Sequence, residues 1–335
     1  MVAHSVHLVG SVPLNSARDV MQTAAVHLGE HLCRVPDGET GERTNWIVWQ
    51  LEKLAACPQL EMSRDAGSEY AQSTRIRIRE GLSASDVALP SLGYADAALT
   101  SFATFQSLQS AGELPARWRF QVCLPTPIAT VHLYVQPEHQ AAFEPVYAAA
   151  MLKELQQILV AIPHEKLAIQ WDTAVEFGVL EGVFPTYLEH PQADILERLE
   201  TLGNAVPEAV ELGYHLCYGD AGHKHFCEPQ DASKLVAVAN GVFSKLARPV
   251  NWLHLPVPRE RDDAAYFAPL TELNLPAETE LYLGLVHLTD GAEGLQRRSS
   301  AAAQVVPRFG VATECGFGRR PQAVVPELMA LHSQE

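Results

Sequence analysis

The sequence has no apolar stretch long enough to cross a membrane and no excess of positive charge. A bilayer-spanning helix needs about 20 consecutive apolar residues, so a transmembrane protein is not expected. The chain carries 24 Lys and Arg against 40 Asp and Glu, which gives a formal net charge of −16. Because this field repels phosphate backbones and anionic lipid surfaces, neither nucleic acid nor a membrane is expected as a partner.

Targeting and nucleotide-binding motifs are also missing. The first residues, MVAHSVHLVGSVP, lack the basic segment and the long apolar segment of a secretion signal, so a cytoplasmic location is expected. No Gly-x-Gly-x-x-Gly follows the first apolar run, and no Walker phosphate loop occurs. An open doubly wound sheet, the second candidate fold, would therefore lack its usual ligand site.

Cysteine is scarce and scattered, with six residues in 335. In a long intracellular chain, metal ligation or simple burial is more common than a disulfide framework. Cys33, Cys57 and Cys123 are expected to be small buried hydrophobic residues. Cys227 is expected in a loop without a chemical role, which leaves Cys217 and Cys315 as candidates for function.

Eight short apolar runs recur along the chain, and hydrophobic residues make up 47% of it. Their nearly continuous apolar character is typical of strands buried on both faces. The predicted strands are Val6–Pro13, His31–Gly38, Arg119–Pro127, Leu167–Phe177, Val210–Asp220, Val250–Pro258, Glu280–His287 and Phe309–Arg319.

The segments between these runs have helical spacing of apolar residues and helix-capping signals. The predicted helices are Ser16–Gly29, Tyr147–Ile162, Asp194–Leu202, Asp231–Leu246, Ala292–Val306 and Pro321–His332. The longer link over residues 39–118 is predicted to be a helical insertion. It should contain helices over Thr44–Ala56 and Ala95–Gly112 and an irregular part around Arg64–Leu89.

Alternating strands and helices in a chain of this length predict an α/β protein, a single (β/α)₈ TIM barrel with a long insertion between strands 2 and 3. We expect one domain over residues 1–335. In enzymatic barrels the active site lies where the strands end in loops. That is where this chain concentrates residues that bind metals or move protons.

The fifth predicted strand ends in VELGYHLCYGD, with His215 and Cys217 two residues apart. That spacing places both side chains on one face of a strand. An imidazole beside a thiolate is half of a tetrahedral zinc site, and Cys315 at the end of the last strand can supply a further ligand. His254, at the end of the sixth strand, is a candidate for the fourth position. The simpler alternative is that these residues merely pack in the core.

Other strand ends carry further candidates for substrate binding and proton transfer. Each also has a purely structural interpretation, such as a core carboxylate paired with arginine or a satisfied buried histidine. His223 and His225 are either a second site or part of a capping loop. The candidates for catalysis are Asp172, His287 and Asp290, and those for substrate binding are Ser11, Glu39, Arg43 and Arg319.

Several of these motifs resemble, in order, the C-terminal catalytic barrel of cobalamin-independent methionine synthase and its relatives, a superfamily that includes zinc thiol methyltransferases and uroporphyrinogen decarboxylase. The similar segments are LVGSVP at Leu8–Pro13, DGETGER at Asp37–Arg43, IQWD at Ile169–Asp172, HLCYGD at His215–Asp220 and TECGFGRR at Thr313–Arg320. The resemblance implies a zinc site at His-x-Cys and the distant Cys-Gly. It also implies substrate contacts from Ser11 and from Glu39, which matches a glutamate that holds the substrate amine.

The sequence departs from the family pattern at three points. The family's glutamate zinc ligand is replaced by His254, and its acidic pair after Ile-Gln becomes Asp172-Thr173. No amino-terminal folate-holding barrel is present in this sequence, so folate-dependent methylation of homocysteine is not expected.

Three functional hypotheses follow. The first is a zinc-dependent, methyltransferase-like enzyme that moves a methyl or alkyl group to or from a metal-activated thiol of a small-molecule substrate. The second is a metal-dependent lyase or hydrolase acting on a small carbonyl or carboxylate compound, with Arg43 and Arg319 as a carboxylate clamp. The third is a non-catalytic metal-binding protein, with four protein ligands and no accessible pocket. A homodimer is a candidate assembly for any of them.

Overall fold

A computed structural model describes residues 5–64 and 74–333 of the chain. The strands within these residues are β1 Arg34–Pro36, β2 Leu60–Arg64, β3 Thr74–Ile78, β4 Arg119–Pro125, β5 Leu167–Thr173, β6 Glu211–Leu216, β7 Trp252–Pro256, β8 Glu280–Val286 and β9 Gly310–Thr313. The α-helices are α1 Ala17–Leu28, α2 Gln50–Ala55, α3 Tyr94–Ser110, α4 Pro127–Tyr134, α5 Pro137–Ala161, α6 Val175–Leu180, α7 Pro191–Asn204, α8 Ser233–Lys245, α9 Ala264–Phe267, α10 Gly291–Ala303 and α11 Val325–Leu331.

A parallel sheet forms the centre of the fold, in the order β1-β4-β5-β6-β7-β8-β9. Its two edges meet at Val6, which pairs in parallel with Leu32 on one side and with Val311 on the other. Backbone bonds from Val6 to the His31 carbonyl, 2.9 Å, and from His7 to the Val311 carbonyl, 3.0 Å, complete the closure. The expected TIM-barrel fold is therefore confirmed, and Val6 occupies the position of its first strand.

The first predicted strand, Val6–Pro13, is much shorter than expected because its carbonyl groups bond to side chains instead of a neighbouring strand. Gln121 Nε2 donates to the Leu8 carbonyl at 3.0 Å, and Gln170 Nε2 donates to the Val9 carbonyl at 2.6 Å. These buried amides satisfy backbone groups that a regular ladder would otherwise pair. The segment thus turns towards the barrel mouth. The other predicted strands are confirmed, each somewhat shorter than its apolar run.

Every predicted helix overlaps a helix of the structure. Ser16 caps α1 as expected, since its Oγ accepts a hydrogen bond from the Asp19 amide at 3.2 Å. Asp231 likewise accepts from the Ser233 amide at 2.8 Å at the start of α8. The helix α7 begins earlier than predicted, and Asp194 bonds back to the His190 amide at 2.9 Å.

The short helices α4, α6 and α9 were not predicted. All but one of the α4 residues are buried, so this helix has no polar face. Without alternating polar and apolar faces, its sequence shows no amphipathic period. The helix α5 starts well before its predicted first residue, because Pro137 suits the first helical turn and Pro145 is accommodated inside the helix.

The insertion between β1 and β4 contains an antiparallel hairpin as well as helices. The strands β2 and β3 pair from Leu60 with Ile78 to Arg64 with Thr74. The predicted irregular part over Arg64–Leu89 was therefore wrong for β3, whose β-branched residues alternate with arginine in a strand pattern. Residues 65–73 of that predicted part lie outside the described residues.

The amino-terminal end of the barrel is filled by an ion-pair network instead of apolar side chains alone. The buried Arg34 bonds to Glu211 at 2.5 Å and to Glu280 at 2.7 Å, and its guanidinium lies 4.4 Å from the Trp252 ring centroid. Trp252 packs with Ala168 and Tyr282. This network lies at the amino-terminal ends of the strands, opposite the face that carries active sites. In TIM barrels, residues at this end contribute mainly to stability. Among the residues described, no helix combines the length and the apolar character needed to cross a bilayer.

The close approach of Trp252 to Gly213 on the neighbouring strand gives a stability prediction. A Cβ added at Gly213 would lie 1.9 Å from Cε2 of Trp252. Gly213→Ala should therefore lower the free energy of unfolding by about 1–3 kcal/mol, measured by urea denaturation. Adding Trp252→Leu should recover part of the loss caused by Gly213→Ala. Strictly additive losses in the double variant would contradict this packing argument.

Candidate metal centre

Three side chains converge at the carboxyl ends of β6 and β9. His215 is on β6, Cys217 follows directly, and Cys315 follows β9. Their ligand atoms all lie within 4.8 Å of one another. The two sulfur atoms are 3.8 Å apart, too far for a disulfide bond, and both cysteines are free. The structure therefore brings together three of the four predicted metal ligands.

The donor set fits zinc. His215 Nε2 is buried and has no hydrogen-bond partner among the described residues, so its position calls for a ligand. The interaction with Cys217 and the burial of the site raise the pKa of Cys315 well above its ordinary value, and a metal ion would offset this by stabilising the thiolate. One imidazole and two sulfurs leave one tetrahedral position open, as in catalytic zinc sites.

His254 does not join this group but lies behind His215. Its Nδ1 is 2.7 Å from Nδ1 of His215, and its Nε2 is 3.0 Å from the carbonyl oxygen of Thr313. Both nitrogens are thus already engaged. The predicted role of His254 as a fourth ligand does not match this geometry, because neither ring nitrogen is free to turn towards the cysteines.

A cavity of about 270 Å³ opens onto the three candidate ligands. Four residues that were predicted for catalysis or substrate binding line it: Ser11, Glu39, Asp172 and Arg319. Much of the remaining wall is apolar and was not singled out from the sequence. This wall includes Trp46, Ile47, Val48, Leu133, Phe184 and Phe226.

The wall residues at positions 46–48 come from the insertion, which therefore covers part of the barrel mouth. Phe226 packs against Phe184 with ring centroids 4.9 Å apart. Nothing in the local sequence of these residues distinguishes a cavity wall from an ordinary core contact. Only the path of the insertion and of the loop after β6 brings them together.

Glu39 sits on a tight turn that follows β1. Gly38 and Glu39 both have positive φ angles, 80° and 49°, and the Glu39 amide donates to Asp37 Oδ1 at 2.9 Å. A left-handed glutamate is unusual, and such strain is common at functional sites. Burial raises the pKa of Glu39 to about 7, with Asp37 adding to the rise and Arg43 opposing it.

Asp172 is the second carboxyl group of the cavity. It is buried at the end of β5, and Gln170 Nε2 donates to its Oδ1 at 2.8 Å. Burial and the charge of Glu39 raise the pKa of Asp172 well above its ordinary value. Because two carboxylates in one cavity repel each other, the site favours at least one protonated carboxyl.

The two arginines predicted to bind substrate are paired within the protein. Arg43 Nη2 is 2.5 Å from Asp37 Oδ2, and Arg43 does not line the cavity. Arg319 lines the cavity, but it bonds to the backbone carbonyl and the carboxylate of Asp220. The geometry therefore gives little support to a carboxylate clamp formed by these two side chains.

Ser11, also predicted to bind substrate, lines the cavity, and its Oγ accepts a hydrogen bond from the Gly318 amide at 3.2 Å.

His287 and Asp290, predicted for proton transfer, lie outside the cavity lining. His287 Nε2 is 2.9 Å from the Val257 carbonyl, and its Nδ1 is 3.6 Å from Glu314. Asp290 holds the fully buried Arg298 through two bonds of 2.7 and 3.0 Å. Burial acts to raise the pKa of Asp290, but Arg298 holds it below its ordinary value. These contacts favour structural roles for both residues.

His223 and His225 do not converge on a common point. His223 Nδ1 lies 3.3 Å from Asp220, whereas His225 lies 3.2 Å from both Glu228 and Glu314. Burial acts to lower the pKa of His225, but these two carboxylates raise it to about 10. The capping-loop interpretation of this pair is thus the one the geometry favours, since the charged ring ties the loop after β6 to β9.

The likeness to known proteins is structural. No protein-family model and no curated protein matches the sequence. The fold is similar to a methyltransferase from Methanosarcina mazei, with a TM-score of 0.59 and 11% identity over 99% of this chain and 94% of that one.

Two further solved structures are also similar. A putative vitamin-B12-independent methionine synthase from Listeria monocytogenes has a TM-score of 0.56 and 16% identity over 94% of this chain and 86% of its own. A B12-independent methionine synthase from a Shewanella species, in complex with selenomethionine, has a TM-score of 0.56 and 15% identity over 100% and 97%. At these identities the likeness establishes a shared fold.

The shifted titration of Glu39 gives a prediction for pH dependence. In the folded chain its pKa is raised from 4.5 to about 7, so the folded state binds the proton more tightly. The free energy of unfolding of the wild type should therefore fall relative to that of Glu39→Gln as the pH rises from about 4.5 to about 7. Above that range the two curves should run parallel. Thermal unfolding of metal-free protein measures this, and a pH-independent difference would refute the raised pKa.

A second prediction concerns Asp290. Asp290→Asn leaves the buried Arg298 without its charge partner and should lower the free energy of unfolding by about 2–3 kcal/mol in urea denaturation. Arg297→Gln is the matched control, because the exposed Arg297 pairs with the same carboxylate and should contribute less than about 1 kcal/mol. Both variants should contain the same amount of metal as the wild type. Loss of metal with unchanged stability would point to a role in the site instead.

Proposed function

We propose that this protein is a zinc-dependent enzyme that transfers a methyl or other alkyl group to or from a thiol of a small-molecule substrate. The observation that carries the proposal is the convergence of His215, whose Nε2 has no hydrogen-bond partner among the described residues, with the sulfurs of Cys217 and Cys315 on an open cavity. Two sulfurs and one imidazole are a donor set that zinc prefers, and the cavity gives a substrate access to the remaining position.

The names of the structural neighbours support the same reaction class. Two are described as B12-independent methionine synthases and one as a methyltransferase. The sequence motifs that resemble this superfamily coincide with the residues that line the cavity, including Ser11, Glu39 and His215. The proposal therefore rests on agreement between motif order and geometry.

In this proposal, Cys217, Cys315 and His215 hold the metal. Bound zinc would lower the pKa of a coordinated substrate thiol, so that a nucleophilic sulfur is present near neutral pH. The substrate sulfur would form a bond to the alkyl carbon of the donor, and the bond between that carbon and the donor's leaving atom would break with its electron pair going to the leaving atom. Burial raises the pKa of Asp172, so this residue is the candidate to supply a proton to the leaving atom.

The other residues of the cavity wall have two proposed roles, substrate orientation and exclusion of water. Glu39 and Ser11 would orient the polar part of the substrate, while Trp46, Phe184 and Phe226 exclude water from the reacting atoms. Exclusion of water matters because an alkyl donor can otherwise be hydrolysed. We propose further that the enzyme is cytoplasmic and acts on a small molecule. A homodimer is a candidate assembly.

The other two hypotheses receive less support. The lyase or hydrolase hypothesis drew on the additional histidines, but His254 and His287 bond to backbone carbonyls away from the cavity. The hypothesis of a non-catalytic metal-binding protein requires four protein ligands and no pocket, whereas the described residues give a group of three ligands beside a cavity. A non-catalytic site also leaves the open position facing the cavity without a role.

Metal analysis tests the proposal directly. We expect about one zinc per chain in the wild type and less than about a tenth of that in a Cys217→Ser, Cys315→Ser double variant. The matched control is Cys33→Ser, Cys227→Ser, which changes two cysteines outside the cavity lining and should keep the metal. Unchanged zinc in the first double variant would refute the metal site.

Cobalt-substituted protein then separates the reaction classes. If a substrate thiol enters the open position, adding small thiols should change the visible spectrum of the cobalt form, and zinc protein should accelerate their alkylation. A spectrum that responds to pH alone, through a titrating bound water, would favour the hydrolase class instead.

A further inference from the structure

We propose that His254 is a positioning residue that fixes the tautomer of His215, with the backbone carbonyl of Thr313 as the group that decides it. The inference rests on the proposed metal site, because it concerns how His215 is prepared to bind a metal. From the sequence, His254 was a candidate only as a metal ligand. His215 on β6, His254 on β7 and the Thr313 carbonyl on β9 form a chain of hydrogen bonds across the barrel interior, which we call the relay.

The relay begins at the carbonyl oxygen of Thr313, which can only accept a hydrogen bond. His254 Nε2 lies 3.0 Å from this oxygen. For that contact to be a hydrogen bond, Nε2 of His254 must carry the proton. The tautomer of His254 is thereby set by a backbone atom.

The next step follows from the burial of His254. Its side chain is fully enclosed, and the described contacts of its ring are to other neutral groups, namely His215, His7 and the Thr313 carbonyl. A ring in that setting is neutral, so Nδ1 carries a lone pair. It can therefore only accept the 2.7 Å bond shared with Nδ1 of His215.

His215 must then donate from Nδ1, and a neutral ring with a proton on Nδ1 has none on Nε2. That bare Nε2 is the buried atom without a hydrogen-bond partner, and it belongs to the ring that offers a ligand atom within 4.8 Å of both candidate cysteine sulfurs. A proton on Nε2 would block metal binding. The relay thus holds His215 in the form that can ligate, as outer partners of metal-bound histidines commonly do.

Thr313 also orients the other side of the site. Its hydroxyl donates to the carbonyl oxygen of Cys315 at 2.5 Å. One residue of β9 therefore sets the tautomer of the histidine ligand through its carbonyl and holds the backbone of a cysteine ligand through its hydroxyl. The parallel pairing of His215 with His254 keeps the two rings side by side.

The tautomers can be measured without any metal. The chain has 14 histidines, and two-bond ¹H–¹⁵N spectra of protein carrying ¹⁵N-labelled imidazoles distinguish the two tautomers of each ring. Spectra of His215→Gln and His254→Gln assign the two signals. We expect His215 protonated only at Nδ1 and His254 only at Nε2. A proton on Nε2 of His215, or an imidazolium at either position, would overturn the relay.

Zinc affinity tests the consequence for metal binding. In His254→Gln, the amide can donate to Thr313 and accept from His215, so the zinc dissociation constant should rise less than about threefold. In His254→Leu the Nδ1 proton of His215 loses its acceptor, and we expect a rise of about 10–100-fold. Competition with a chromophoric chelator gives both values.

His7→Leu is the matched control for core disruption. His7 is buried, and its ring centroid lies 5.8 Å from that of His254, but its Nε2 bonds to Gln170. It should destabilise the core while leaving zinc affinity within about threefold of the wild type. Equal losses of zinc affinity in His254→Gln and His254→Leu would overturn the relay. So would a loss of zinc affinity in His7→Leu as large as that in His254→Leu. If the wild type binds no zinc, the proposed function fails, and the tautomer spectra still decide the relay.

Discussion

Parallel register between neighbouring strands is the constraint on which the candidate site depends. Asp172 on β5 pairs with His215 on β6, and His215 pairs with His254 on β7. In a parallel sheet, paired residues point to the same side, so these three side chains all face the barrel interior. A shift of one residue in any of the three strands would turn its functional side chain outward. Closure of the sheet at Val6 and Val311 then brings β9, and with it Cys315, to the same mouth.

Because the interior holds polar side chains, their hydrogen bonds must be satisfied within the barrel. Gln121 and Gln170 bond to carbonyls of the first segment, and His7 bonds to Gln170 at 2.8 Å. Burying these groups is unfavourable unless they are paired, and their pairing fixes one arrangement of the interior. His215 Nε2 is an exception that the described residues leave unsatisfied, at the point where a metal would bind.

Charge is distributed differently at the two ends of the barrel. At the amino-terminal end, Arg34 is held between Glu211 and Glu280, so its burial is compensated. At the opposite end, Glu39 and Asp172 have raised pKa values because burial is not fully compensated by a cation. Perturbed carboxyl groups beside a cavity are typical of functional sites, whereas fully paired groups such as Asp290 with Arg298 are typical of structural ones.

The order of strands and helices could be predicted from the sequence alone, since apolar runs and cap residues are local signals. The sequence also placed His215, Cys217 and Cys315 at strand ends, because alternation along a strand and the parallel barrel fix where such residues meet. Whether His254 is a ligand or a supporting residue could not be predicted, because that depends on whether a carbonyl of another strand reaches its Nε2. The same holds for Arg43, Arg319 and Asp290, whose partners lie in other segments of the chain or across a turn. Hydrogen-bond partners and cavity walls are properties of juxtaposed segments, and no local pattern encodes them.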